Sequence, residues 1–192
     1  QADLDRINAI NDKAGIIEAM AELAGSAYFQ FYVGADIMDS KTNIFQLYQG
    51  GIGLGEKEYY LEDDEATKNI REGYKAHIVK MFQLIGQDEK QATKSMEAVM
   101  EIETRLAKKS FNAVEQRNPA ANYHMLTLDE LKKQIPGFDW DVYINTIGVK
   151  GVTSLNVSQI EPVQEAVEII NELPLDKQKA YLQWKLIDSA AG

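Results

Sequence analysis

The 192-residue chain has no cysteine and only two histidines. Without cysteine there can be no disulfide, thiolate metal site or cysteine nucleophile, and no redox compartment is implied. The histidine shortage is nearly as restrictive. Zinc hydrolysis on a helix needs two histidines four residues apart, with a glutamate between them to activate water. His77 and His124 are far apart and neither is flanked by such a motif, so both are read as surface or helix-edge side chains. A Gly-x-Ser-x-Gly elbow is also missing, which leaves serine chemistry without its strained turn. No apolar run approaches the roughly 18 residues of a membrane span, and Gln1-Ala2-Asp3-Leu4-Asp5-Arg6 is not a signal peptide.

Positive charge is in deficit: 20 Lys plus Arg stand against 30 Asp plus Glu, a net charge of -10. That balance opposes binding to a polyanion unless a local basic patch overrides it. The only adjacent basic pairs are Lys108-Lys109 and Lys132-Lys133, so nucleic acid is not an expected partner. A hydrophobic share of 45% with 26% charged residues excludes a disordered chain and predicts one folded region over residues 1–192. The chain opens directly in a helical pattern and closes straight after another at Ala190-Ala191-Gly192, so both ends are expected to be cuts.

Four glycines crowd into six residues, Gly50-Gly51-Ile52-Gly53-Leu54-Gly55, followed by Glu56-Lys57-Glu58-Tyr59-Tyr60-Leu61. Gly50 and Gly55 have the spacing of the outer glycines of a phosphate loop. The Lys and Ser/Thr that should follow are replaced by Glu56 and Lys57, and Glu56 and Glu58 would repel a phosphate. The block is therefore read as a structural turn that needs positive φ or close backbone approach.

Apolar periodicity predicts a mainly α fold, an irregular multi-helix domain of seven or eight helices with one small β-hairpin. Leu4, Ile7, Ile10 and then Ile16, Ile17, Met20, Leu23 suggest two helices broken near Asn11-Asp12 and ended by Gly25-Ser26. Phe29, Phe31 and Val33 alternate with polar neighbours, and Ile44 to Tyr48 is β-prone, with Asp39-Ser40-Lys41-Thr42 as the expected turn. Glu62-Asp63-Asp64-Glu65 suits a helix start, with Ile70, Tyr74, Ile78, Met81, Phe82 and Ile85 inward and Gly86 as the stop. Asp88, Thr127 with Glu130, Asp139 and Asp176 are candidate caps for later helices. Phe111 to Met125 is expected to be a loop, and Gly151 to Ser158 a loop or short strand.

No constellation along the chain reads as a site, so no catalytic, cofactor-binding or metal-ligating residue is assigned. Glu101 and Glu103 lie two apart on a helix, point to different sides and are expected to be solvated charges. Glu62 to Glu65 lacks the spacing and glycine of a calcium loop. Met81, Met96 and Met100 fall on inner faces, as core packing requires. Tyr28, Phe29, Phe31, Tyr32, Tyr59 and Tyr60 gather aromatics about the hairpin and glycine block, where they either pack layers together or form an interface. Asn156-Val157-Ser158 fits a glycosylation sequon, a short pattern common by chance.

Five ordered blocks nevertheless carry a likeness: Gly50-Gly51-Ile52-Gly53-Leu54 with Tyr59-Tyr60-Leu61; Ile102-Glu103-Thr104-Arg105-Leu106-Ala107; Arg117-Asn118-Pro119 with Asn122-Tyr123; Pro136-Gly137-Phe138-Asp139-Trp140; and Tyr181-Leu182-Gln183-Trp184. In this order they resemble the N-terminal region of the neprilysin-like M13 zinc endopeptidases, bacterial PepO-type members especially. Gly55 and Ile160 stand where the family often has proline, which affects local loops only.

The resemblance implies a parent enzyme with a zinc-bearing catalytic lobe and a helical lobe that covers it, walls off a chamber and admits only small peptides. This chain would be part of the covering lobe, with the catalytic lobe of the same polypeptide and small peptide substrates as partners. Zinc would belong to the parent and not to these residues, so the chain alone is expected to be inactive. The lack of cysteine is closer to bacterial members than to disulfide-rich animal ones, which implies a bacterial envelope or secreted source. A lobe separated from its partner should also expose an apolar patch. The rival readings are a stand-alone helical interaction module and a small-ligand-binding helical domain.

Overall fold

Side-chain caps set several of the helix starts in the computed structural model, which describes residues 1–191. Asp12 accepts from the Gly15 amide to open α2 (Lys13–Glu22) after the short α1 (Ala2–Asn8). Asp64 does the same for α4 (Glu65–Leu84), and Asp88 for α5 (Glu89–Lys109). Gly86, at φ 108°, ends the first of these long helices. Thr127 and Glu130 form the expected reciprocal box at α7 (Leu128–Gln134), and Asp139 caps α8 (Trp140–Thr146). In α9 (Ile160–Glu172), Pro162 sits in the first turn, where its missing N–H costs no helical bond. Asp176 lies inside the first turn of α10 (Leu175–Ala191) rather than before it. The short α3 (Glu58–Leu61) and α6 (Ala113–Gln116) bring the α-helices among the described residues to ten.

The expected hairpin is present, and it is half of a four-stranded sheet. Strands β1 (Phe29–Asp36), β2 (Asp39–Gln49), β3 (Met125–Thr127) and β4 (Ser154–Val157) are ordered β1-β2-β4-β3, with β2 parallel to β4 and the other neighbours antiparallel. The hairpin turns at Ile37-Met38, not at Asp39 to Thr42. The Asp36 carboxylate accepts from the Met38 amide and closes a tight turn, while Asp39 accepts from Lys41 N and Thr42 Oγ1 inside the strand. The segment from Phe111 to Met125 is not a plain loop either. Asn112 and Glu115 form a capping box for α6, a 3-10 turn covers Ala120–Asn122, and β3 begins at its end.

One face of the sheet is apolar, with Phe29, Phe45, Leu47, Leu155 and Val157 all buried. Phe29 lies 5.4–5.7 Å from the rings of Phe138, Trp140 and Tyr143, which joins the sheet to α8. The opposite face is polar: Gln46 and Asn156 are register partners and share an amide hydrogen bond of 3.1 Å. Ile102, Leu106, Tyr181, Leu182 and Trp184, on the facing sides of α5 and α10, are fully buried. Expected inner positions Ile70 of α4 and Ile85, just past its end, are instead exposed, and only Ile78 and Phe82 of that row are fully covered.

Candidate functional site

The glycine block is held against a buried ion pair. Gly51 has φ 82°, and a Cβ there would stand 2.5 Å from the Tyr181 hydroxyl and 2.9 Å from the Tyr28 amide. A Cβ on Gly53 would collide with the Tyr74 hydroxyl. Both glycines therefore let the backbone reach groups that any side chain would displace. The Gly53 amide donates to Glu103 Oε1 at 2.9 Å, and the Gly51 carbonyl accepts from the Tyr181 hydroxyl at 2.7 Å.

Glu103, on α5, is fully buried and paired with the equally buried Lys185 of α10, Nζ to Oε2 at 2.9 Å. The Tyr60 hydroxyl donates to Oε1 at 2.6 Å and the Tyr74 hydroxyl at 2.9 Å. Trp184 Nε1 in turn donates to the Tyr74 oxygen at 2.9 Å. Tyr181 lies under the ammonium, whose Nζ is 5.3 Å from the ring centroid, and its oxygen accepts from the Tyr28 amide at 3.0 Å. Burial, with the Glu103 charge beside them, pushes the Tyr60, Tyr74 and Tyr181 hydroxyls far above the ordinary tyrosine value. Four donors of the chain itself, from Gly53, Tyr60, Tyr74 and Lys185, thus surround the carboxylate. With no exposed surface and these four groups around it, the carboxylate is turned towards the chain's own donors. Its role is to lock α3, α4, α5 and α10 to the glycine turn.

Glu103 thus departs from the solvated charge expected of it. The row Val99, Met100, Glu103, Leu106, Ala107 is buried throughout, so Glu103 belongs to the inner stripe of α5. Glu101 does point elsewhere and pairs with Lys177 at 2.6 Å. A second polar network lies over the sheet. Asn122 donates to the Glu115 and Asn118 carbonyls and accepts from Gln159, while the Asn156 amide donates to Gln46 and to the Asn122 carbonyl. Asn156 is thereby buried, so the sequon offers no acceptor nitrogen on the folded surface.

The other residues singled out by sequence do not converge. His77 is exposed on α4, its ring 5.7 Å from Trp184. His124 is half-buried, and its Nδ1 donates to the Val157 carbonyl at 2.8 Å. Of the acidic run, Asp64 caps α4 and Asp63 pairs with Arg71. Among the described residues no group of three His, Cys, Asp or Glu side chains is placed to hold a metal ion. A surface groove of about 680 Å3 is lined by Tyr60, Arg71, Met96, Met100, Arg105 and Lys108. Arg71 is paired with Asp63, Lys75 with Glu72, and Arg105 with Glu165 and Glu172, and the carboxylates Glu97 and Glu101 share the same groove. Exposed apolar side chains do gather on the hairpin: Tyr32, Val33, Ile37 and Met38. No described helix is long and apolar enough to cross a membrane.

Comparison with known proteins places this geometry. The family model described as Peptidase family M13 matches residues 1–192. Endothelin-converting enzyme 1 of Homo sapiens is 29% identical over 171 residues, 84% of this chain and 22% of its own length. The zinc metalloprotease ZMP1 of Mycobacterium tuberculosis, solved with an inhibitor, superposes with a TM-score of 0.87 at 25% identity, over 96% of this chain and 29% of its own. PepO from Lactobacillus rhamnosis HN001 shares the fold, with a TM-score of 0.69 at 16% identity. The chain therefore spans between a fifth and a third of the length of each of these three relatives.

Proposed function

The chain belongs to peptidase family M13 along its whole length, and on that premise we propose that it is a non-catalytic helical part of the covering lobe of a zinc metalloendopeptidase. In this reading it forms part of a chamber wall and limits the size of peptide that reaches a catalytic centre carried elsewhere in the same polypeptide. The observation that carries it is the family match over residues 1–192 together with the close superposition on 29% of the ZMP1 chain. Interior polar chemistry supports the same role. The Glu103–Lys185 node, the aromatic cluster around Phe29 and the Asn122–Asn156 network all tie elements together. A wall that excludes large peptides has to be rigid, and such fully satisfied networks make it so.

Zinc does not fit the residues present here. His77 and His124 sit on separate elements, Glu103 is consumed by Lys185, and no three ligand-type side chains of the described residues meet. The metal, which in such enzymes polarises the scissile carbonyl and activates water, is assigned to the remaining polypeptide. The rival reading as a stand-alone interaction module has no comparable support.

Sequencing the gene beyond Gly192 tests the proposal. A downstream helix bearing His-Glu-x-x-His in the same reading frame is expected, and a frame that ends without one would overturn the parent-enzyme reading.

A further inference from the structure

Strand β1 lies at one edge of the sheet, with β2 as its single strand neighbour. From Phe29 to Ala35 it carries no charged residue and no proline, and its irregularity of register falls at the far end, between Ala35 and Asp36. Along this edge Tyr32 is 46% and Val33 55% exposed, and at the adjoining tip Ile37 is 57% and Met38 73% exposed. Free edges invite pairing with other chains, and proteins guard them with lysine, proline, bulges or brevity. The opposite edge obeys that rule, because β3 has three residues and runs straight into α7. By contrast, β1 is eight residues long and has none of these guards along most of its length. Beyond the ladder to β2, the Phe29 amide bonds to Ala27, and the Ala35 carbonyl accepts from Gln46.

We propose that the outer edge of β1 is a strand-pairing seat, filled by an extended, uncharged segment from the remaining polypeptide of the parent enzyme. This seat presupposes that the chain is part of a longer M13 peptidase. The relatives hold more than two thirds of their length outside the matched region. A segment tethered in cis meets the edge at an effective concentration in the range of about 1 mM, which a second copy in trans does not reach. A peptide substrate is a poorer occupant, since it would leave a bare, adhesive edge between turnovers. Side chains on β1 define what fits. Val33 continues the apolar face begun by Phe29 and Phe31, whereas Tyr32 lies on the other face, 5.6 Å from the Tyr48 ring. An incoming strand should place an aliphatic residue beside Val33 and an aromatic or other flat one beside Tyr32, with no charge to desolvate at either position.

Hydrogen exchange of the full-length parent, followed by mass spectrometry over residues 30–35, tests the seat. The outward amides of β1 are expected to exchange about a hundredfold or more slowly than those of the Ile37-Met38 turn, matching the β2 ladder. Exchange as fast as the turn would overturn the proposal. So would protection that depends on protein concentration, which signals a second copy, or protection that arises only when a peptide is added. Zinc content and peptidase activity of the same sample separate the two levels. An active zinc enzyme with a bare β1 refutes the seat alone, whereas a sample without zinc or peptidase activity counts against the proposed function on which the seat rests.

Discussion

Glu103 and Lys185 form a buried ion pair between α5 and α10, and both are legible in hindsight. Each falls on a buried helical stripe, Glu103 four residues after Val99 and Lys185 four after Tyr181. A charge on an inner face signals a buried partner, because an unpaired one would cost several kcal/mol. What periodicity cannot reveal is which partner, since the two residues lie on helices far apart in sequence. Lys185→Met leaves Glu103 without a counter-charge in a closed interior and should destabilise the fold by about 3–5 kcal/mol. For a chain of this size that corresponds to a fall in Tm of roughly 6–20 °C by calorimetry. Replacing both partners with apolar residues should recover a large part of the loss. An unchanged Tm in the single variant would mean that the pair contributes nothing.

Among the elements, helices with strong caps and clean periods are readable, including the caps Asp88, Thr127 and Asp139, whereas for α4 the acidic run Glu62 to Glu65 marks the start without singling out its cap, Asp64. These signals are local, so a single sequence carries them. The sheet was half readable. Alternation in Phe29, Phe31 and Val33 identified β1, but the parallel pairing of Gln46 with Asn156 joins positions 110 residues apart. Nothing in either short segment names the other. The segment around Asn122 was misread as loop because its order comes from side-chain amides rather than from an apolar period. The capping box at α7 provides a direct check of the local account. Thr127→Ala removes the acceptor for the Glu130 amide and should cost about 1 kcal/mol in denaturant unfolding, with the m-value unchanged.

At the scale of the molecule, buried tyrosines give the fold a distinctive alkaline limit. Tyr28, Tyr60, Tyr74, Tyr143 and Tyr181 are all shifted upward from the ordinary value of 10.0, chiefly by burial. Above that pH an unfolded chain releases tyrosine protons that the native state keeps. The native state then binds more protons, and stability falls as pH rises past 10. The share of tyrosinate absorbance that belongs to these five of the nine tyrosines should therefore appear together with the loss of helical circular dichroism in one cooperative step; early, independent titration of these five hydroxyls would contradict their burial. The same closed interior underlies the central claim, that these residues supply shape and rigidity to a peptidase whose chemistry lies elsewhere in its polypeptide. Purified alone and incubated with zinc and a short fluorogenic peptide, the chain should bind no stoichiometric metal and release no product. Chelator-sensitive cleavage by this chain alone would contradict the account.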